Sequence, residues 1–287
     1  MIITILGPTG TGKTTLSLEL AKKYNAEIIN ADSTQIYKEM NIGTAKIKDF
    51  ENITHHLINI KNLNEDYTIY QYQKEGREII ENLLKQNKNI IIVGGSGLYI
   101  NALIYDYKLK EEKNTIINKD IQTMHKELTN LGIDIHINNK QRIERLYKRH
   151  IINKEPIIKE RPKAIYDSII IGLYENREIL YENINKRTDE MLKEGLLEEV
   201  KELYNKYPDS KQLKSTIGYK ELILYLNKTI SLEEAIDKIK QNSRNYAKRQ
   251  FTWFNNQMKV NWFKTDYNNF NNTINQVINF IEKQKIK

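Results

Sequence analysis

Ile2-Ile3-Thr4-Ile5-Leu6, followed at once by Gly7-Pro8-Thr9-Gly10-Thr11-Gly12-Lys13-Thr14, decides the fold. The first five residues are an apolar, mostly β-branched run of strand type. The next eight match G-x-x-x-x-G-K-[ST], and the amphipathic stretch Lys13–Tyr24 continues them as a helix. Between strand and helix, the glycines let backbone N–H groups turn inward around an anion, and the helix N-terminus adds a favourable dipole. Lys13 brings a point charge to the outer phosphate, and the Thr14 hydroxyl is placed to ligate Mg²⁺ bridging phosphate oxygens. Kinases, ATPases, GTPases and some transferases share this loop, so it fixes a phosphate or diphosphate site without naming the compound.

Outward from the loop, strand-like runs recur at Glu27–Ala31, Ile90–Val93, Ser168–Gly172 and Val260–Phe263. Helical stretches fall at Ile69–Lys85, Arg177–Tyr207 and Leu232–Phe254. The alternation predicts an α/β fold: a P-loop NTPase-like, mostly parallel sheet flanked by helices. From 106 to 165 the strand signal fades into polar, Lys/Arg-rich sequence, which reads as a small helical insertion in a core formed by 1–105 and 166–287.

Parallel strands of such a sheet end at one edge, where ligands bind. Asp32-Ser33-Thr34-Gln35 follows the second strand there, making Asp32 a general base or metal contact, although Asp32 and Ser33 could equally cap a helix. The strand Ile90–Val93 ends in Gly94-Gly95-Ser96-Gly97, with a hydroxyl at Ser96 and no Walker-B carboxylate, which argues against a motor or switch NTPase. The adjacent His55 and His56 have no companions at metal-ligand spacing and read as structural.

The chain has 287 residues, a net charge of +8 and no cysteine, which excludes disulfides, thiolate zinc sites and a cysteine nucleophile. No apolar run approaches membrane-span length, and the first strand begins without a charged leader, so no membrane association and a cytoplasmic location are expected. The positive charge concentrates in two places. In 140–163, Gln141, Arg145 and Lys148 share one helical face and Ile143, Leu146 and Tyr147 another. From Gln241 to Lys264 there is no acidic residue, and Arg244, Lys248 and Arg249 interleave with Tyr246, Phe251 and Trp253. Basic with aromatic is the composition of a nucleic-acid contact, and also of core aromatics beside solvated lysines.

Several segments together carry a more specific signal. Gly7–Thr14, Asp32–Tyr37 running into Met40-Asn41-Ile42-Gly43-Thr44-Ala45-Lys46, Val93–Tyr99, Gln141-Arg142, Asn185-Lys186-Arg187, Ile217–Lys220 and Ala247–Phe254 occur in an order that resembles the tRNA dimethylallyltransferase family. That resemblance implies transfer of a dimethylallyl group from dimethylallyl diphosphate to N6 of the adenosine 3′-adjacent to the anticodon, with Mg²⁺ as cofactor and a monomeric enzyme. It further implies that Gly7, Pro8, Thr9, Gly10, Thr11, Gly12, Lys13 and Thr14 hold diphosphate. Asp32 is then the base, Arg187 neutralises the leaving group, and Ser96, where the family usually has Thr, hydrogen-bonds substrate. The segments Asp32, Ser33, Thr34, Gln35; Gln141, Arg142, Ile143, Glu144, Arg145; and Ser215, Thr216, Ile217, Gly218, Tyr219, Lys220 match those that contact the tRNA anticodon stem-loop. The chain departs from the family in a shorter insertion without the usual Asp-Pro and Asn-Asp signals before Gln141, and in Ser215, where a longer or basic residue is common. Two rivals remain at this stage: a P-loop small-molecule kinase, and an RNA-binding module with a vestigial loop.

Overall fold

A computed structural model of the chain describes residues 1–111, 117–157 and 162–285. It divides into two compact units, one formed by Met1–Leu109 with Ala164–Lys287 and one by Lys110–Lys163. The first contains six strands, β1 (Ile2–Leu6), β2 (Ala26–Asn30), β3 (His55–His56), β4 (Asn89–Val93), β5 (Ser168–Tyr174) and β6 (Asn261–Lys264). They form one sheet in the order β3-β2-β4-β1-β5-β6, with every pairing parallel. This is the α/β architecture expected from the alternation of apolar runs and amphipathic stretches.

β1 lies at the centre because all five of its residues can be buried. Parallel strands covered on both faces require apolar side chains in both directions. Successive side chains leave opposite faces, so Ile2 and Leu6 join one core cluster while Ile3 and Ile5 join the other. Ile90 and Ile92 against Ile91, and Ile29 against Ile28, divide in the same way. The one polar residue of β1, Thr4, is fully buried and shares a 2.8 Å hydrogen bond with Ser168 of β5.

One sheet face is covered by α1 (Lys13–Tyr24) and α11 (Phe270–Lys285). The other cluster takes residues from α2 (Ile69–Lys85), α3 (Gly97–Ile104), α7 (Leu196–Lys206), α8 (Lys211–Ser215), α9 (Tyr219–Leu226) and α10 (Leu232–Gln257). The long helix expected over Arg177–Tyr207 is two: α6 (Arg177–Lys193) ends and α7 begins at Gly195, whose φ of 99° a helix cannot continue through. Sequence periodicity misses this break because the apolar spacing on either side stays helical. It also misses β3, a two-residue edge strand in which His56 Nε2 lies 2.6 Å from Glu27 Oε2. That pairing gives the histidine the structural place expected of it.

The second unit contains α4 (Ile121–Asn130), α5 (Lys140–Tyr147) and a π-helical turn at Lys148–Ile152. Met124, Leu128, Ile135, Ile143 and Tyr147 form its own small core. The Tyr147 hydroxyl fastens the two helices by donating to Glu127 at 2.8 Å and accepting from Lys119 at 2.7 Å. Among the described residues no helix is long and apolar enough to cross a membrane.

Candidate functional site

The phosphate loop leaves β1 at Gly7, where a Cβ would collide with the backbone carbonyl of Leu173 on β5. It ends at Gly12, in the left-handed region at φ 82° and the N-cap of α1, where a Cβ would stand 2.5 Å from the Phe270 ring. No side chain caps α1 and no acidic residue occupies its first turn, so its leading N–H groups stay free for an anion. Thr11 Oγ1 closes the loop by donating to Pro8 O at 2.9 Å. The loop is also held from outside, since Tyr267 donates to Gly10 O at 2.8 Å and Thr265 to Thr11 O at 3.1 Å.

Lys13 donates to Pro8 O at 2.7 Å. Desolvation lowers its ammonium to about 8, Asp32 opposing the shift and Arg187 adding to it. Arg187, from α6, is likewise drawn below its ordinary value by burial, against the pull of Asp32. Two cations and one carboxylate thus sense each other in one partly desolvated space.

Asp32 sits just past β2. Its backbone N–H donates to Asn30 Oδ1 at 3.1 Å, while Asn30 Nδ2 donates to Asp32 O and to Leu57 O. Oδ1 accepts from both the backbone and the hydroxyl of Thr34, at 3.0 and 2.7 Å. No helix follows, so the helix-capping alternative gives way to an Asx turn that fixes the carboxylate. Oδ2 is left on the side of Gly95, 3.9 Å from where a Cβ would stand there.

Two cavities meet at this carboxylate. One, of about 530 Å³, is lined by Asp32, Ser33 and Thr34, by Ser215, Thr216, Ile217, Gly218 and Lys220, and by Tyr246, Arg249 and Gln250 of α10. The other, of about 630 Å³, is lined by Gly10, Gly12, Lys13, Thr14, Gln35 and Lys186. Thr9, Lys13, Asp32, Thr44, Arg187 and Met191 border both. Among the described residues no group of three or more His, Asp or Glu is disposed to hold a metal. The exposed Thr14 hydroxyl at the second cavity fits an ion that takes its other oxygens from a phosphate ligand and water, the usual habit of Mg²⁺.

Not every expected residue reaches these walls. Ser96 lines neither cavity; it N-caps α3, and its Oγ accepts from Ser33 N at 3.2 Å, so it shapes the Asp32 turn from behind. Tyr219 is fully buried, its ring against Gly43 and its hydroxyl donated to Glu199 at 2.5 Å, so its side chain cannot be an RNA contact. Ile143 is fully buried in the core of the second unit, which corrects its expected contact in the same way, because a helix with an apolar face must turn it inward. Its neighbours Gln141, Arg142, Glu144 and Arg145 are exposed.

The structure adds residues that spacing could not reveal. Glu199 of α7 accepts the backbone N–H groups of Asn41, Ile42 and Gly43 at 3.1, 2.9 and 3.2 Å, fixing the loop that brings Thr44 and Ala45 to both cavities. Lys46 pins the same loop through Tyr37 O at 2.6 Å and Asn41 Oδ1 at 3.0 Å, and burial draws its ammonium down to about 8. Tyr246 packs close to Ser96 and Gln250, with burial first and Asp32 second pushing its hydroxyl up to about 12, so it stays protonated.

The chain as a whole is similar to known proteins. Residues 35–257 match the family model described as IPP transferase. A tRNA dimethylallyltransferase of Anoxybacillus flavithermus is 41% identical over 298 residues, covering 98% of this chain and 96% of that protein. A crystal structure of the full-length tRNA isopentenylpyrophosphate transferase of Bacillus halodurans superposes with a TM-score of 0.77 at 36% identity, covering 99% and 98%. A eukaryotic dimethylallyltransferase, described as acting on tRNA, gives a TM-score of 0.83 at 28% identity over 99% of this chain and 79% of that one.

Proposed function

The chain belongs to the IPP transferase family, and from that premise we propose that it transfers a dimethylallyl group from dimethylallyl diphosphate to N6 of the adenosine 3′-adjacent to the anticodon in tRNA, releasing diphosphate. The observation that carries this reading is the wall common to the two cavities. Lys13 and Arg187 stand on it as cations and Asp32 as a carboxylate, with the phosphate loop on one side and the 215–220 segment and α10 on the other. Two substrates that approach from the two cavities meet at Asp32.

An adenine amine is a poor nucleophile because its lone pair is delocalised into the ring. As N6 forms its bond to the allylic C1, the C1–O bond breaks, its electron pair leaves with diphosphate, and an N6 proton passes to the Asp32 carboxylate. Lys13, Arg187 and the N–H groups at the start of α1 stabilise the charge that grows on the departing diphosphate. Mg²⁺ held at the Thr14 hydroxyl would add positive charge to the same oxygens. The reacting base must leave the anticodon stack to reach the wall, and exposed Gln141, Arg142 and Arg145 of the second unit supply contacts to the anticodon stem-loop. The chain acts as a monomer, on tRNA in the cytoplasm.

A small-molecule kinase could use the same loop, but the family membership does not favour it. The deciding experiment incubates the protein with unmodified tRNA, Mg²⁺ and labelled dimethylallyl diphosphate, in parallel with labelled ATP, and analyses the digested nucleosides by mass. Label on adenosine from the allylic donor is expected. Phosphoryl transfer from ATP with unlabelled adenosine would overturn the reading.

A further inference from the structure

Gln250 stands out among the buried polar side chains, since its two amide atoms join segments about 240 and 155 residues away: Oε1 accepts from Thr9 N–H at 3.0 Å and Nε2 donates to Gly95 O at 2.9 Å. An acceptor facing a backbone N–H and a donor facing a carbonyl leave the amide only one satisfactory orientation. Gly95 is what lets it in, because any Cβ there would collide with Nε2. The bridge therefore ties together the phosphate loop, the turn after β4 that borders Asp32, and α10, whose Tyr246 and Arg249 face the first cavity.

The loop has reason to need such a brace. Gly10 and Gly12 adopt left-handed backbone conformations at φ 85° and 82°, and glycine has the greatest freedom to leave them. Tyr267 and Thr265 restrain Gly10 and Thr11 through their carbonyls, but neither reaches Thr9, and Lys13 grips only Pro8 O. Gln250 fixes the peptide at Thr9, so that the following N–H groups point at the ligand. The bridged N–H is itself withdrawn from phosphate binding, so Gln250 acts on the ligand only through the shape it gives the loop.

We propose that Gln250 is the positioning residue that presets the phosphate loop for diphosphate from α10. The inference rests on the reading of the loop as a diphosphate site and is tested separately from it. Binding of inorganic diphosphate with Mg²⁺ is measured calorimetrically on the full chain, wild type and Gln250→Met, an unbranched side chain of similar length that lacks both hydrogen bonds. Thermal melting and the steady-state constants for each substrate are recorded on the same preparations. The expected result is about tenfold weaker diphosphate binding and a similar rise in KM for dimethylallyl diphosphate, with a clearly smaller change in KM for tRNA, the tenfold being on the order of what one of the two lost buried hydrogen bonds is worth. If Gln250→Met does not fold, Gln250→Asn, too short to span both partners, is expected to show the same split. Wild-type affinity in the variant that folds, or an equal loss toward both substrates, overturns the role of Gln250. Failure of the wild type itself to bind diphosphate overturns the reading of the loop instead.

Discussion

Two walls of the site are built in opposite ways. The phosphate loop, which forms part of the second cavity, is a single run of eight residues, Gly7–Thr14, hung between β1 and α1. The wall of the other cavity draws on short pieces from β2's end, the 43–45 loop, α6, the 215–220 segment and α10. A wall made of one local turn carries its chemistry in its own backbone, so its residues are bound to a spacing. A wall assembled from distant segments carries its chemistry in the residues that hold those segments together. Loss of function should therefore come from the ligand-facing residues and the Gln250 brace on the first wall, and mainly from the supporting residues on the second.

The largest effect is expected on the phosphate wall. Lys13→Ala removes a charge placed where the leaving group departs, and kcat/KM should fall on the order of 10³-fold, with tRNA affinity unchanged within a few-fold in a filter or fluorescence assay. Transfer at near wild-type rates would show that the loop's charge is not used. On the assembled wall, Glu199→Leu leaves three backbone N–H groups and the Tyr219 hydroxyl without their acceptor. Stability to urea should drop by about 1–2 kcal/mol, chiefly because the buried Tyr219 hydroxyl loses its acceptor, and activity should fall although Glu199 lines neither cavity. An unchanged midpoint would mean that the 41–46 loop holds itself.

A pH titration sharpens the contrast further. Free Lys13 loses its proton as pH rises through about 8, whereas a bound diphosphate favours the charged form. Affinity for dimethylallyl diphosphate should thus weaken as pH rises above about 8, by up to about tenfold per pH unit, as linkage requires of one proton. Lys13→Met should lose that dependence, and if it does not, another group titrates. The smallest effect is reserved for the second unit, where the exposed Arg145 can contribute one phosphate contact. Arg145→Ala should weaken tRNA binding several-fold and lower the slope of log K against log salt by about 1, leaving diphosphate binding as it was.

The same contrast explains what could be read from the sequence. The sheet was legible because β1, β2 and β4 are apolar in both directions, and the loop because its glycines and Lys13 sit at fixed offsets. The resemblance of ordered segments reached Asp32 and Arg187, which the structure brings to one wall. Gln250 lay inside a recognised segment, yet nothing in its neighbourhood announces a partner at Thr9. Glu199 looks like any exposed helical carboxylate until the 41–43 amides are folded onto it. Ile143 and Tyr219 erred in the other direction: a motif match names a position, while burial decides which way its side chain points.

The most direct test of the account compares Asp32→Ala with wild type in a single turnover, with tRNA and labelled dimethylallyl diphosphate both saturating and the binding of each measured on the same samples. If Asp32 receives the N6 proton on the wall where the cavities meet, both substrates bind within a few-fold of wild type while label transfer falls by roughly 10²–10⁴-fold, the usual worth of a positioned base. Transfer within a few-fold of wild type, with both substrates bound, would contradict it.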